Sequence, residues 1–119
     1  MATTYRMPVL SSRREFFRLP YPVTSGAILA VDGTNYTVGE ISERGLKLMI
    51  SGDKFPLEQL VQGTLKLTNG ARCTVSGAVL RVEERCVVVK LTRGPTSYEV
   101  FREQRFLSKN FPDWKPQPA

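Results

Sequence analysis

The chain has 119 residues, of which 41% are hydrophobic and 24% charged, and its formal net charge is +6. This length predicts a single domain with a modest core. No apolar run approaches the roughly 20 residues needed to cross a bilayer, and no hydrophobic signal segment precedes the charged stretch at residues 11–18. We therefore expect a cytoplasmic protein or domain without membrane insertion.

The sequence lacks the residues of common catalytic and metal sites. It contains no histidine, which removes the commonest general base and metal ligand. Its two cysteines, Cys73 and Cys86, cannot form a zinc site alone, and we expect both as buried free thiols. There is no P-loop or nucleophile elbow. These absences predict a protein that is not an enzyme and carries no cofactor or metal.

The N-terminal part of the chain has no strand or helix period. Residues 1–12 predict a flexible N-terminal arm, which leads into the basic stretch 13–18. Pro20 and Pro22 follow and favour an extended backbone. We expect this segment to form a tether that can fold over a surface.

Six segments with alternating apolar residues then predict β-strands. Asp32-Gly33 is a strong hairpin signal, and Asn69-Gly70 closes the fourth strand. Gly77 predicts a bulge or bend within the fifth strand. The predicted strands are residues 27–31, 36–41, 46–50, 64–68, 72–82 and 86–91.

Two connections between these strands carry further expectations. The corner at 42–45 ends in Gly45, which can supply a positive φ if the turn needs one. The loop at 51–62 contains a short helical turn at 57–60 by its composition.

The C-terminal part predicts one amphipathic helix. Thr96 and Glu99 form a capping box in sequence. Pro112 ends the helix, and residues 113–119 form a Pro-rich tail. The apolar positions expected on one face are Val100, Phe101, Leu107 and Phe111.

These elements predict a mainly β fold. A small six-stranded antiparallel β-barrel, with a C-terminal helix covering one end, accounts for residues 13–112. The chain contains no internal repeat and no second domain boundary.

Two short motifs carry the functional prediction. The first is Arg14-x-x-x-Arg18, and the second is Glu40-x-Ser42-x-x-Gly45 at the end of a predicted strand. A guanidinium group can bind the acceptor edge of guanine or a phosphate with two hydrogen bonds. A carboxylate followed by a hydroxyl and a glycine suits the donor edge of a purine. The motifs together indicate a receptor for a guanine nucleotide with two phosphates.

With these motifs and six strands, the chain resembles the PilZ domain family of bacterial cyclic di-GMP receptors, over roughly residues 12–112. The family pattern is R-x-x-x-R on an N-terminal arm, followed by [D/N]-x-S-x-x-G on the barrel. Glu40 stands where the family has Asp or Asn. The resemblance implies that cyclic di-GMP is bound by Arg13, Arg14, Arg18, Glu40, Ser42 and Gly45.

The resemblance also implies how the nucleotide acts. The residue before the first motif, Arg13, is expected to influence whether one nucleotide or a stacked pair binds, and we expect a pair; the alternative is an Arg13 that points into solvent. Ordering of the arm around the ligand would change the surface offered to an unidentified downstream protein. The outputs of such domains are motility, biofilm formation and virulence. The oligomeric state, and whether the chain is complete or an excised domain, stay open.

Two other functions compete with this one. A PilZ-like adaptor that binds proteins but no nucleotide is favoured by Glu40, because its extra methylene displaces the carboxylate. A small basic barrel that binds single-stranded nucleic acid would need aromatic side chains beside basic ones on its strands. The aromatic candidates Tyr36 and Tyr98 are isolated in the sequence, which makes nucleic acid a weaker hypothesis.

Overall fold

The computed structural model describes residues 18–22 and 26–118. The expected arm at 1–12, together with Arg13 and Arg14, lies outside the described residues. The strands are β1 (Leu19–Pro20), β2 (Ala27–Val31), β3 (Thr34–Ile41), β4 (Gly45–Leu48), β5 (Leu60–Lys66), β6 (Arg72–Val82) and β7 (Val87–Arg93), and the helix is α1 (Ser97–Asn110).

Six of these strands close into the predicted antiparallel barrel. Their order is β3-β2-β5-β6-β7-β4, and β4 pairs back with β3 to complete the ring. The short β1 pairs with the end of β3 that extends past the residues paired with β2. Leu19 pairs there with Ile41, and Pro20 with Glu40. The sequence did not predict β1, because a strand of two residues is too short to show the alternation of apolar and polar side chains.

The barrel interior is filled by aliphatic side chains that alternate along the strands, as side chains on a pleated strand must. Burying each such side chain contributes roughly 1.5–3 kcal/mol relative to leaving it exposed. The residues without solvent exposure include Leu29, Val38, Leu48, Leu65, Val75, Val87 and Val89.

The predicted irregularity at Gly77 is confirmed. The register between β6 and β7 shifts between Ser76 and Gly77, and again between Val79 and Arg81. A Cβ atom on Gly77 would lie 2.1 Å from the carbonyl oxygen of Lys90. Only glycine allows this close approach, and the second shift falls beside Arg81, which takes part in the site described below.

The helix α1 begins as predicted and buries the expected face at every position but one. Thr96 is its N-cap, and the capping box with Glu99 is present. Val100 and Leu107 join the core, whereas Phe101 is 52% exposed. The expectation for Phe101 was wrong because Glu103 is fully buried instead. Its carboxylate accepts hydrogen bonds from the backbone N–H groups of Thr68 and Asn69, which gives the helix a polar anchor on the β5–β6 turn.

Several local expectations also need correction. Residues 57–60 do not form a helical turn, and β5 begins at Leu60. Gly45 has no positive φ, since the glycines in that conformation are Gly33 and Gly70 of the two hairpins. Both cysteines are free, but Cys86 alone is buried and Cys73 is half-buried. The described residues contain no helix long and apolar enough to cross a membrane.

Candidate functional site

A surface cavity of about 340 Å³ lies where β1, β3 and β4 meet. This volume is at the lower end of the roughly 300–1,000 Å³ typical of small-molecule sites. The cavity is open to solvent and draws residues from both sequence motifs. Its lining consists of Arg18, Glu40, Ile41, Ser42, Arg44, Gly45, Leu46, Lys47, Arg81 and Val88.

The short strand β1 brings the two motifs together. Because Pro20 pairs with Glu40 across β1 and β3, the preceding Arg18 is held at the mouth of the cavity. Its Nη1 atom lies 3.5 Å from Oε2 of Glu40. The Arg18 side chain is 45% exposed and that of Glu40 is 16% exposed. The two residues are 22 positions apart in sequence, so only the fold places them in contact.

A second cation approaches Glu40 from the other side. Lys47 is its partner in the register between β3 and β4, and the Lys47 Nζ atom lies 3.9 Å from Oε1 of Glu40. Both ion pairs are near the limit of contact for charged groups. Because partly solvated pairs of this kind contribute little stability, a ligand can replace them without a large loss of free energy.

The corner between β3 and β4 orients Ser42. The Ser42 N–H donates to the Gly45 carbonyl oxygen at 2.9 Å, which closes the turn. The backbone N–H of Arg44 donates to Oγ of Ser42 at 3.3 Å. This bond uses the hydroxyl as an acceptor and leaves its hydrogen for a ligand. A Cβ atom on Gly45 would lie 3.2 Å from the Val89 carbonyl oxygen, so the glycine allows close strand packing here.

Positive charge dominates the cavity wall. Among residues 18–22 and 26–118, four cationic residues line it together with one carboxylate: Arg18, Arg44, Lys47 and Arg81, with Glu40. A concave surface lined by one sign of charge concentrates ions of the other sign. The site therefore suits an anionic ligand that also offers groups to a carboxylate and a hydroxyl.

Sequence reasoning missed Lys47 and Arg81. Lys47 could have been found from the β3–β4 register, since it faces Glu40 directly. Arg81 had no such signal, because the register shift beside it depends on pairing with β7. Its Nε donates to Oε2 of Glu83 at 2.7 Å, and this hydrogen bond lowers the pKa of the Glu83 carboxyl.

The arrangement of the aromatic side chains bears on nucleic-acid binding. The Tyr36 ring packs edge-on against Phe55, with ring centroids 5.1 Å apart. Tyr98 lies on α1, where the Arg102 guanidinium sits over its ring. Neither ring lines the cavity, so the residues described around the site include no aromatic platform of the kind on which single-stranded bases stack.

Fold and site together define a small β-barrel with a cation-lined corner beside an N-terminal strand. Residues 12–104 match the PilZ domain family, and the chain belongs to that family, whose members are cyclic di-GMP receptor and adaptor domains. The resemblance inferred from the motifs is thereby confirmed.

A solved structure supports the same fold. An uncharacterised Legionella protein superimposes with a TM-score of 0.58 at 20% sequence identity, over 82% of this chain and 99% of that one. At this identity the likeness concerns the fold alone. A search of curated proteins finds no significant match.

Proposed function

We propose that this chain is a cyclic di-GMP receptor that acts by binding rather than by catalysis. The observation that carries the proposal is the meeting of Arg18 with Glu40 and Ser42 in one cation-lined cavity. Arg18 and Ser42 match the two motifs of the family, and Glu40 supplies a carboxylate where the family has Asp or Asn. The two segments come from distant parts of the sequence.

Each residue has a role that its chemistry supports. The Arg18 guanidinium would bind a phosphate or the O6 and N7 atoms of guanine. The Glu40 carboxylate would accept hydrogen bonds from the N1 and N2 groups of a guanine, and the Ser42 hydroxyl would add a donor. Lys47 and Arg81 extend the positive wall toward a phosphate.

The remaining family residues precede Arg18 in sequence. Arg14 is four positions before Arg18, within about 14 Å along an extended chain. We propose that Arg13 and Arg14 complete the site from the arm, with Arg13 able to hold a second, stacked nucleotide. Gly45 serves the site through the tight approach of β4 to β7.

The proposed output is a change of protein contact. Binding by residues 13–18 would order the segment that precedes the barrel, and so alter the surface met by a downstream protein in the cytoplasm. In this scheme residues 1–12 form the arm, 13–112 the domain and 113–119 the tail. Motility, biofilm formation and virulence are the processes that such a contact would control.

Isothermal titration with cyclic di-GMP, with GTP as the control ligand, tests the proposal. We expect saturable binding to the wild-type chain and a loss of affinity of at least about 30-fold in Arg18→Ala, since truncating one member of a desolvated charge pair costs roughly 2–5 kcal/mol. Arg93→Ala is the matched control, because Arg93 is exposed and does not line the cavity.

The titration also fixes the stoichiometry. A ratio near two nucleotides per chain supports the stacked pair, whereas a ratio near one keeps the receptor and removes the pair. Equal affinity of Arg18→Ala and wild type would contradict the assigned role of Arg18.

A second candidate is an adaptor that binds no nucleotide. The observation in its favour is that Glu40 already lies between Arg18 and Lys47, so its charge is balanced without a ligand. Absence of heat with cyclic di-GMP at high micromolar concentration would favour this adaptor, and Glu40→Asp, which restores the family residue, would then show whether the extra methylene is the cause.

A further inference from the structure

The C-terminal tail crosses back over Arg18, the residue that precedes β1. Gln117 and Arg18 exchange two backbone hydrogen bonds, of 2.9 Å and 2.8 Å, in an antiparallel bridge. The indole N–H of Trp114 donates to the carbonyl oxygen of Pro20. We call residues 114–118 the C-terminal strap. Residues 18–20 are thus held by β3, which pairs with β1, and by the strap, which bonds Arg18 and the carbonyl oxygen of Pro20.

The strap also contacts the Arg18 side chain itself. The Nε–H of Arg18 donates to the carbonyl oxygen of Pro118 at 3.0 Å, while Nη1 lies beside Glu40. Two contacts on different nitrogens fix the plane of the guanidinium. They leave Nη2 and the second hydrogen of Nη1 to bind a ligand, out of the five N–H donors of an arginine.

The strap lies outside the part of the chain that matches the PilZ family. The family match ends at residue 104, so the strap lies beyond the matched region. Its bonds nevertheless converge on one motif arginine and on the proline two positions later. A tail that served only to cover the core would not need to bond the guanidinium of a half-exposed arginine.

We propose that the C-terminal strap positions Arg18 for nucleotide binding, with Gln117 and Pro118 as the positioning residues. This inference rests on the proposed function. An arginine that precedes a two-residue strand would otherwise lose backbone and rotamer freedom when a ligand binds. Holding it in place beforehand removes that loss from the binding step, and the strap thereby raises affinity without touching the nucleotide.

The test compares cyclic di-GMP affinity in variants that release Arg18. Ending the chain after Pro116 removes the three bonds that Gln117 and Pro118 make to Arg18 and keeps Trp114 in place. Gln117→Pro keeps the chain length and removes the Gln117 N–H. We expect affinity to fall about tenfold in the shortened chain and less in Gln117→Pro. Lys115→Ala, an exposed change within the strap, is the control and should bind as wild type does.

A double-mutant cycle separates positioning from general destabilisation. If the strap acts through Arg18, shortening the chain in an Arg18→Ala background changes the residual affinity by less than about twofold. An equal loss in both backgrounds would overturn the proposal, as would unchanged or tighter binding by the shortened chain, which would mean that the strap competes with the nucleotide.

A measurement without nucleotide keeps this inference distinct from the proposed function. In NMR spectra, we expect the Arg18 Nε–H to be protected from solvent exchange in the wild type and to lose that protection in the shortened chain. No change on shortening would overturn the positioning role. A wild-type chain that shows the protection but binds no cyclic di-GMP would instead refute the receptor function.

Discussion

Two glutamates contact the segment around β1, and their surroundings differ. Glu103 on α1 has no solvent exposure and accepts hydrogen bonds from the Tyr21 hydroxyl and two backbone N–H groups, at 2.5–3.1 Å. Glu40 on β3 keeps 16% of its side chain exposed and meets its two cations at 3.5 and 3.9 Å.

The difference separates a structural carboxylate from one suited to binding. The donors around Glu103 are held by a turn and by the core, so they have no other partner if the carboxylate leaves. The cations around Glu40 can instead be solvated or bind an anion. The Glu103 carboxylate therefore anchors the helix, whereas the Glu40 carboxylate can exchange its cationic partners for a ligand.

Removing Glu103 should have the largest effect. Glu103→Ala leaves three partly buried donors without their acceptor, and a fully buried unsatisfied group costs roughly 1–3 kcal/mol. We expect the free energy of unfolding, measured by urea denaturation, to fall by about 3–5 kcal/mol. Glu84→Ala, at an exposed position on the β6–β7 turn, should change it by less than about 0.5 kcal/mol. Comparable stability in the two variants would remove the distinction between the glutamates.

Removing Glu40 should have little effect on stability and a larger effect on nucleotide affinity. Glu40→Ala breaks only two long, partly solvated ion pairs, so we expect a loss of stability below about 1 kcal/mol. Cyclic di-GMP affinity should fall about tenfold or more, since the guanine donors lose their acceptor. Urea denaturation and titration on the same preparation check both parts. A stable variant that binds as tightly as wild type would show that the Glu40 carboxylate does not accept hydrogen bonds from the guanine.

The link between Tyr21 and Glu103 makes stability depend on pH. Burial, with the nearby Glu103 charge and hydrogen bond, raises the pKa of Tyr21 well above its ordinary value of 10.0. The folded chain thus holds this proton more tightly than the unfolded chain. The resulting stability is complete below pH 10 and declines above it, by up to about 1.4 kcal/mol per pH unit.

Urea denaturation of Tyr21→Phe between pH 8 and 11 measures this contribution. Its stability should fall less steeply above pH 10 than that of wild type. The Cys73 thiol, whose pKa burial raises from 9.0 to about 11, adds a decline over that interval in both proteins and cancels in their difference. Tyr98→Phe, at an exposed position, should follow wild type; parallel curves for all three would contradict the role of Tyr21.

The smallest expected effect is that of salt on binding. Raising NaCl from 50 to 300 mM should weaken cyclic di-GMP binding several-fold, because the cations of the cavity wall are partly exposed and therefore screened. Arg81→Ala should flatten this dependence. Fluorescence titration at several salt concentrations measures both slopes, and identical slopes would place Arg81 outside the electrostatic field of the ligand.

Comparison of prediction and structure shows which features are local. The hairpin at Asp32-Gly33, the strand end at Asn69-Gly70 and the capping box at Thr96 were predicted, since each depends on residues within a few positions. The irregularity at Gly77 was predicted from its residue type alone, although the close approach that requires a glycine there is made by Lys90 on β7. The burial of Glu103 and the exposure of Phe101 on α1 were not predicted, because Glu103 accepts from backbone N–H groups on a turn 34 and 35 positions away.

The same division holds for the candidate site. The sequence by itself determined the strand periods, the barrel class and the two motifs, because side-chain alternation and residue spacing are properties of short segments. Only the tertiary structure decided that Lys47 and Arg81 join the cavity wall and that the C-terminal strap bonds Arg18. Those contacts follow from strand register and from chain segments up to 100 positions apart, and no short-range pattern encodes which distant groups will meet.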